Sequence, residues 1–355
     1  MTSGQAPRRK RRTQSAPTVA DVARAAGVSL MTVSRVINAE PNVLEATRTK
    51  VRAAVEQLGY VPNLAARSLA GAAQCRIALL FSNPSAAYLS ELLVGVLAEA
   101  AAQNAELTVE PYLASESVAP LVARLVRHRI DAVVLPPPLC EDTSLLDALQ
   151  AAGLALVQIA SGSPAALAHA VTIDDEAAAC AMVRRLEALG HRRIALITGD
   201  ANQASSAMRL RGYEQAIREL GLPVDPTLIV AGDFTYRSGL AAAEQLLSLT
   251  PRPTAIFASN DDMAAAAVSV AHRLGLEIPR DLTVCGYDDT TMATTIWPEL
   301  TTIRQPIAEM ARQAVRLLVD AIKRRHAGLP APLHHIQLDF ELILRGSHAG
   351  PLSAA

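Results

Sequence analysis

Polar side chains follow four short apolar segments of this 355-residue sequence. The clusters are Ser82-Asn83-Pro84, Thr198-Gly199-Asp200, Ser259-Asn260-Asp261 and Gly286-Tyr287-Asp288-Asp289. If the apolar segments are parallel strands, their carboxyl ends meet at one edge, which is where ligands of open α/β sheets bind. Hydroxyls, amides and carboxylates supply paired hydrogen-bond donors and acceptors. The sequence therefore predicts a binding cleft for a small polar molecule.

These residues do not form a recognisable catalytic set. The eight histidines are scattered, no serine or cysteine lies in a nucleophile-elbow pattern, and no glycine-rich phosphate loop follows the first strand. The cysteines, Cys75, Cys140, Cys180 and Cys285, are far apart, which favours neither a zinc site nor a disulfide. We therefore expect a binding protein without a cofactor or metal, and not an enzyme.

The elements that would position the clusters are alternating strands and helices. Alternation of this kind implies parallel sheets with right-handed crossovers, a doubly wound α/β architecture. Residues 75–345 suit two such subdomains better than one. The predicted strands cover residues 77–81, 107–112, 132–135, 154–159, 194–198, 228–230, 255–258 and 282–285.

Charge is distributed unevenly along the chain. Residues 1–71 carry 11 basic and 4 acidic side chains, and the remainder carries 22 basic and 30 acidic. A basic end on an acidic body is typical of a nucleic-acid-binding module attached to a second domain. Residues 1–17 are polar and basic, which predicts a disordered arm that either is simply solvated or contacts phosphates.

The basic end contains a helix-turn-helix pattern. Thr18 and Asp21 can form a capping box for a first helix that ends at Gly27. Ser29 can cap a second helix over residues 30–37. Two short helices joined by a glycine-containing turn present the second helix to the DNA major groove.

A third amphipathic helix is predicted over residues 45–58, ending at Gly59. Its apolar stripe can bury the first two helices. Leu44 stands at its N-cap position and has no side-chain acceptor, a substitution that costs about 1 kcal/mol of helix stability.

The segment TVADVARAAGVSLMTVSRVINAEPNVLEATRTKVRAAVEQLGYVPNLAARSLAG, residues 18–71, resembles the headpiece and hinge of the lactose-repressor (LacI/GalR) family. Six body segments, among them GHRRIALITGD and PTAIFASNDDMAAAAV, follow in that family's order. The resemblance implies a sequence-specific transcriptional repressor that binds a pseudo-palindromic operator as a homodimer. A small molecule would control its operator affinity.

The family also implies the domain layout. A headpiece over 18–62 and a hinge helix over 63–71 precede a periplasmic-binding-protein-like effector domain over 75–345. Lobe 1 would comprise about 75–173 and 306–332, and lobe 2 about 174–303 and 333–345. Residues 346–355 contain no leucine heptad, which predicts a flexible tail and a dimer rather than a tetramer.

The resemblance assigns DNA contacts residue by residue. Leu30 and Met31 would read bases through thymine methyl groups, and Arg35 would supply most of the hydrogen-bonded discrimination, at a guanine. Alternatively, Leu30 and Met31 belong to the headpiece core and Arg35 forms an internal ion pair. The residues expected to position the helix on phosphates are Thr18, Ser29, Thr32, Ser34 and Asn38.

The hinge would form a helix only when two copies pack over the minor groove. Leu69 matches the family's wedging leucine, Ala66 matches the small residue that allows close approach to the groove, and Asn63 begins the segment. The alternative is an ordinary linker. So short a helix is mostly unfolded alone, which makes the segment a two-state element.

The family's effector-contacting positions correspond to Tyr88, Leu89, Asp174, Gln203, Ser205, Arg209, Phe234, Asn260, Asp288 and Gln305. Arg209 and Asp288 can each reach two vicinal hydroxyls, and Phe234 or Trp297 can cover a C–H face, which favours a sugar inducer of carbohydrate catabolism. A purine-like ligand or another corepressor is the alternative, because Tyr88 stands where purine-responsive relatives place a stacking ring. Against it, Gln203 replaces their arginine.

Structural roles are the alternative for the same side chains. Arg209 could form an ion pair with a carboxylate, Tyr88 and Phe234 could be core aromatics, and Asp288 could cap the following segment.

Two other protein classes share this body pattern. A solute-binding protein would need export, but no signal peptide precedes the helix-turn-helix pattern, and no apolar stretch approaches the roughly 18 residues of a membrane span. A sugar-modifying enzyme would need an acid/base pair, which the clusters do not supply. We therefore expect a cytoplasmic regulator with no membrane partner.

Overall fold

The structure, a computed structural model, describes residues 17–37, 43–60, 75–112 and 117–351. The chain divides into two compact units, Met1–Gln74 and Cys75–Ala355. The predictions for Asn38, for the hinge with Asn63, Ala66 and Leu69, and for nearly all of the N-terminal arm lie outside the described residues.

The first unit contains the three predicted headpiece helices: α1 (Val19–Ala26), α2 (Leu30–Ile37) and α3 (Glu45–Leu58). Val22, Val33 and Val51, one from each helix, are fully buried against one another in a single cluster. The periodicity of small apolar residues therefore builds a core for this unit alone.

The helix ends follow the predicted capping chemistry. The Thr18 hydroxyl accepts from the Asp21 amide at 3.3 Å, and the Thr18 amide donates to the Asp21 carboxylate at 2.9 Å, forming a capping box. These bonds to Thr18 lower the pKa of Asp21. Gly27 ends α1 with φ of 66°, a left-handed conformation that favours glycine. Leu44 makes no side-chain capping bond to α3.

The second unit alternates strands and helices along the chain. Its strands are β1 (Arg76–Phe81), β2 (Glu106–Pro111), β3 (Ala132–Leu135), β4 (Ala155–Ile159), β5 (His169–Ile173), β6 (Ile194–Ile197), β7 (Ile229–Val230), β8 (Ala255–Ala258), β9 (Thr283–Asp288), β10 (Thr301–Arg304), β11 (His335–Leu338) and β12 (Glu341–Ile343). Its helices are α4 (Ala86–Ala102), α5 (Val118–Arg127), α6 (Thr143–Ala151), α7 (Asp175–Ala188), α8 (Ala204–Glu219), α9 (Tyr236–Leu247), α10 (Asp261–Arg273), α11 (Thr291–Thr295) and α12 (Ile307–His326), with short 3-10 turns at Leu139–Glu141 and Pro226–Leu228.

The strands form two six-stranded sheets within the described residues, one for each lobe. Their orders are β11-β5-β4-β3-β1-β2 and β12-β10-β9-β8-β6-β7. Every pairing is parallel except that of β12 with β10. The two doubly wound subdomains predicted from the alternating pattern are thus present.

The sequence pattern located eight of the strands to within a few residues but missed β5, β10, β11 and β12. Each of these begins with a polar residue and is only three to five residues long. Their pairing with neighbours supplies the stability that local pattern does not. Helix α12 returns to the first sheet and packs on α4, β4 and β5, as expected of a late return helix.

The chain crosses between the lobes three times: after β5, after β10 and after β11. The last crossing corrects the predicted boundary, which placed residues 333–345 wholly in lobe 2. Strand β11 pairs with β5 in the first sheet, with Ile336 opposite Val171. The physical reason is that β5 would otherwise be an edge strand with an unpaired row of backbone groups.

Residues 346–351 pack on the second lobe, although a flexible tail was predicted over 346–355, whose last four residues lie outside the described range. Ser347 is fully buried, and its hydroxyl accepts from the Thr301 amide at 2.8 Å and donates to the Val284 carbonyl at 2.6 Å. One ring nitrogen of His191 lies 2.7 Å from the Ala349 carbonyl oxygen. Residues 346–351 therefore satisfy backbone and side-chain groups at the start of the second sheet's strands.

Two general features concern the described residues. All four cysteines are buried free thiols. None of the described helices has the length and apolar composition needed to cross a membrane.

Candidate functional site

The first turn of α2 exposes apolar side chains. Leu30 is 55% and Met31 64% exposed, so neither belongs to the headpiece core, which takes Val33 and Val36 from the opposite face. Arg35 lies one helical turn beyond Met31 on the same face and is also exposed. The predicted base-reading surface is therefore continuous on one side of α2.

The polar residues predicted to position α2 are engaged in local bonds. The Thr32 amide donates to the Ser29 hydroxyl at 3.1 Å, and the two hydroxyls lie 2.8 Å apart, so Ser29 caps the helix as predicted. The Thr18 hydroxyl donates to Asp21 at 2.6 Å. Ser34 lies half-buried between Val33 and Arg35.

Eight of the ten predicted effector residues line one cavity between the two sheets, at the carboxyl ends of the strands. They are Tyr88, Gln203, Ser205, Arg209, Phe234, Asn260, Asp288 and Gln305, and the remaining lining residues are Asn83, Ser85, Pro137 and Ala160. Polar groups converge there because the parallel strands of both sheets end at this edge. The cavity is small, about 30 Å³.

Arg209 is the central cation of the cavity and is 4% exposed. Its Nε donates to Asp175 Oδ1 at 2.7 Å and its Nη1 donates to the Ser259 carbonyl oxygen at 2.5 Å. Burial by itself would lower the pKa of Arg209, but its neighbours Asp175, Tyr287 and Asp288 together outweigh burial, and the pKa is raised. The ion-pair alternative is therefore realised, at a residue that also lines the cavity.

Tyr287 completes the support of the guanidinium group. Its ring centre lies 3.6 Å from Arg209 Cζ, and its hydroxyl donates to Asp175 Oδ1 at 2.7 Å. Sequence reasoning missed both Asp175 and Tyr287 as site residues. The paired carboxylates at 174–175 and the aromatic within the strand-end cluster at 286–289 were the features that could have identified them.

Asp288 is the carboxylate of the cavity. Its backbone has φ of 107°, and its Oδ1 accepts from Gln305 Nε2 at 2.6 Å and lies 4.0 Å from Arg209 Nη1. Burial raises the pKa of Asp288 to about 7, although Arg209 and Gln305 oppose the shift. The contact with Gln305 shows that Asp288 braces another cavity residue rather than capping the next segment.

Two buried polar atoms of cavity residues have no hydrogen-bond partner among the described residues, Tyr88 Oη and Gln305 Oε1. An unpaired buried polar atom costs about 1–3 kcal/mol, so a ligand that pairs with both is favoured. Asn260 differs, because its Oδ1 accepts from the Met263 amide and its Nδ2 donates to the Phe234 carbonyl, both at 2.9 Å. It caps α10 and braces the wall.

Phe234 forms an apolar wall of the cavity and is 7% exposed. Its ring lies on the backbone of Gly199: a Cβ at position 199 would come within 2.0 Å of Phe234 Cζ. The second strand-end cluster therefore contributes a glycine that makes room for the ring. Tyr88 and Phe234 are buried, as the core alternative required, but both also line the cavity.

Three predicted contacts do not reach the cavity. Leu89 packs half-buried on the first lobe's core, because a helix turns about 100° between it and Tyr88. Asp174 caps α7 by accepting from the Ala177 amide at 2.9 Å, while Asp175 points to Arg209. Trp297 is 83% exposed and does not line the cavity.

The described residues contain no group of His, Cys, Asp and Glu side chains arranged to hold a metal ion.

Comparison with known proteins identifies the two units separately. Residues 18–63 match the model for bacterial regulatory proteins of the lacI family, and residues 183–348 match the periplasmic binding protein-like domain. Catabolite control protein A of Priestia megaterium is 35% identical over 310 residues, which cover 86% of this chain and 93% of that protein. The chain belongs to the lacI family. This confirms the resemblance that the headpiece and body segments carried.

Other lacI-family members cover more of the chain. The transcriptional repressor CytR of Escherichia coli K12 is 33% identical and covers 94% of this chain and 97% of its own length. A solved CelR–cellobiose complex is 34% identical with a TM-score of 0.70, covering 93% of this chain and 99% of that one. The Lac repressor dimer bound to operator and an anti-inducer is 28% identical with a TM-score of 0.72, covering 94% and 100%. The predicted role as a DNA-binding transcriptional repressor is confirmed at this level.

Proposed function

We propose that this lacI-family protein is a homodimeric, cytoplasmic repressor whose operator affinity is controlled by an uncharged sugar bound in the cavity, and that it acts by binding, without catalysis. The observation that carries the proposal is the pair of unpartnered buried atoms, Tyr88 Oη and Gln305 Oε1, in a cavity with Phe234 as its apolar wall. A sugar offers hydroxyls that can donate to one atom and accept from the other, and a C–H face that can cover the ring.

The charges of the cavity favour an uncharged ligand. The single guanidinium of Arg209 already faces the carboxylates of Asp175 and Asp288. Asp261, next to Asp288, is buried, and burial followed by the charge of Asp288 raises its pKa well above the usual range. A phosphate or carboxylate on the ligand would add a negative charge without a free cation to pair with it, which is costly in a buried site.

The DNA half of the proposal rests on α2. Leu30 and Met31 would contact thymine methyl groups, and Arg35 would bind a guanine, while Thr18, Ser29, Thr32, Ser34 and Asn38 would hold the helix against phosphates. Two copies would place their headpieces in successive major grooves. In the hinge, Asn63 would begin a helix whose Ala66 and Leu69 reach the minor groove, and Leu69 would open the central base step. The related Lac repressor binds its operator as a dimer.

The test is fluorescence anisotropy of the full chain on a pseudo-palindromic operator from upstream of its own gene, titrated with neutral sugars, sugar phosphates and purines. We expect salt-sensitive binding that one neutral sugar weakens. Release by a sugar phosphate or a purine instead would contradict the ligand assignment, and absence of specific DNA binding would contradict the regulator.

A matched pair of variants tests whether the sugar binds at Tyr88. Tyr88→Phe removes only the unpartnered hydroxyl and should weaken the sugar's effect about tenfold, with operator binding unchanged. Tyr236→Phe is the control, because the Tyr236 hydroxyl donates to Ser269 at 2.7 Å on the outer surface of α9. Equal responses of the two variants would remove Tyr88 from the site.

A further inference from the structure

Two pairs of hydrogen-bonding groups join the lobes directly, one at each side of the cavity. On one side the Glu141 carboxylate of lobe 1 reaches the first turn of α8 in lobe 2. On the other side the Ser85 hydroxyl of lobe 1 donates to Asp262 of α10 in lobe 2 at 2.5 Å. We call these contacts of Glu141 and Ser85 the cross-lobe latch.

Glu141 has both carboxylate oxygens engaged. Its Oε1 accepts from the Gly162 amide at 3.0 Å within lobe 1, and its Oε2 accepts from the Ala204 amide at 2.7 Å in lobe 2. Ala204 is the first residue of α8, and Gln203, the N-cap residue, makes no side-chain capping bond. Glu141 therefore caps a helix of the opposite lobe, where a carboxylate is stabilised by the free amides and the helix dipole.

The backbones of the two lobes approach closely at the same place. A Cβ at Gly162 would lie 2.4 Å from the Ala204 Cβ and 3.1 Å from the Met208 sulfur. Only a glycine therefore permits the spacing at which Glu141 reaches across. Gly162 has an ordinary φ, so an alanine there would act as a wedge between the lobes and not as a strained backbone.

The latch is built into the cavity walls. Gly162 follows the wall residue Ala160 by two positions, and Ala204 lies between the wall residues Gln203 and Ser205. Ser85 itself lines the cavity. Any increase in the distance between the facing walls must therefore stretch the bonds of Glu141, of Ser85, or of both.

The latched spacing leaves little room for a ligand. A cavity of about 30 Å³ holds roughly two water molecules, whereas small-molecule sites are typically about 300–1,000 Å³. Arg209 and Phe234 both belong to lobe 2, with the guanidinium carbon 5.8 Å from the ring centre. The walls at Ala160 of lobe 1 and Ser205 of lobe 2 must therefore separate before a sugar can lie between lobe 1 and these two side chains.

We propose that the cross-lobe latch holds the cleft in a contracted form that competes with the effector, so that effector binding and release of Glu141 from α8 are one event. Ligand identity rests on the proposed function; the latch itself rests on the contacts alone. Breaking the latch costs free energy, and this cost reduces the net free energy of effector binding. The latch thus sets the effector concentration at which the repressor responds.

Two variants release the latch by different means, and both are studied in the full chain. Glu141→Ala removes the capping carboxylate, and Gly162→Ala keeps it but forces the lobes apart. Asp147→Asn is the control, because this exposed carboxylate on α6 carries the same charge and has no partner among the described residues. Without ligand, amide hydrogen exchange of peptides containing Ala204 should be about tenfold faster in both latch variants than in the control.

The second readout is the dissociation constant of cellobiose and of the other neutral sugars in the panel, measured by calorimetry. A sugar that binds the unaltered protein should bind both latch variants about tenfold more tightly, and the control unchanged. Equal or weaker sugar binding by the latch variants would overturn the competition, and equally fast exchange at Ala204 in all proteins would overturn the latch. If no sugar binds, the proposed function fails, and exchange alone decides whether the latch exists.

Discussion

The guanidinium carbon of Arg209 lies 3.6 Å from the centre of the Tyr287 ring, and both side chains bond to the same oxygen of Asp175. The cation is therefore held by a ring on one side and by a carboxylate at its edge. Such an arrangement fixes the position of the remaining donors before a ligand arrives, which lowers the entropy cost of binding.

Removing the cation should leave Asp175 buried without its charge partner. Arg209→Met is expected to lower the free energy of unfolding by about 3–5 kcal/mol, since breaking one member of a buried pair strands the other. The double variant Arg209→Met with Asp175→Asn should recover part of that loss. Urea denaturation at pH 7 measures the two variants together with Asp175→Asn alone. A double variant whose loss of unfolding free energy equals the sum of the two single losses would show that the pair is not coupled.

Asp288 makes the stability depend on pH. Its pKa in the folded chain is about 7, above the ordinary value of 3.8, so the folded state binds the proton more tightly. Its favourable contribution is complete below about pH 4 and is lost as the pH rises through 7.

The matching variant is Asp288→Asn, which stays neutral and can still accept from Gln305. We expect it to be more stable than the unaltered chain by about 2–4 kcal/mol at pH 8, with little difference at pH 4. Thermal or urea unfolding across this range measures the difference. A constant difference at every pH would mean that Asp288 keeps an ordinary pKa.

The contact of the Phe234 ring with the Gly199 backbone predicts that a single added methyl group at position 199 is destabilising. Gly199→Ala should displace the ring, because the new Cβ would lie 2.0 Å from Phe234 Cζ. We expect a loss of about 1–3 kcal/mol in unfolding free energy from overpacking, together with weaker sugar binding. The control is Ala201→Ser, which alters an exposed residue of the loop that contains Gly199. A glycine such as Gly221 is no suitable control, because its φ of 62° would strain an alanine.

Base reading by α2 predicts a specific loss of DNA affinity. Arg35→Ala should weaken operator binding by about 1–3 kcal/mol and relax specificity at one base pair. Lys50→Ala is the comparison variant: it removes an exposed cation of α3 and should weaken binding to operator and to non-specific DNA alike. Anisotropy on operator and scrambled duplexes at two salt concentrations separates these effects. Equal losses on both duplexes for Arg35→Ala would contradict its role at a base.

The sequence located the cavity because its polar residues follow apolar strands, a local feature that parallel topology converts into one site. The sequence did not show which of two adjacent side chains faces the cavity. Asp174 and Asp175 are both carboxylates at the start of α7, and only the packing of α7 against α8 shows which one meets Arg209. Helix rotation separates Tyr88 from Leu89 in the same way.

Long-range pairing explains the remaining differences. The four residues of β11 carry no strong strand pattern, and β5 on the neighbouring edge is what makes them a strand. Ser347 gives no local indication of burial, since its partners Val284 and Thr301 lie more than 40 positions away. The latch at Glu141 is likewise invisible in the sequence, because it joins residues 63 positions apart.

The chain passes between the lobes three times, and this determines the order in which the units can fold during synthesis. The first sheet receives its last strand from His335–Leu338 and the second from Glu341–Ile343. The ribosome must therefore have made nearly the whole polypeptide before either sheet can receive its last strand. The headpiece, a separate unit at the N-terminus, is complete hundreds of residues earlier, so a nascent chain can display a finished DNA-binding module while its regulatory body is still unfinished.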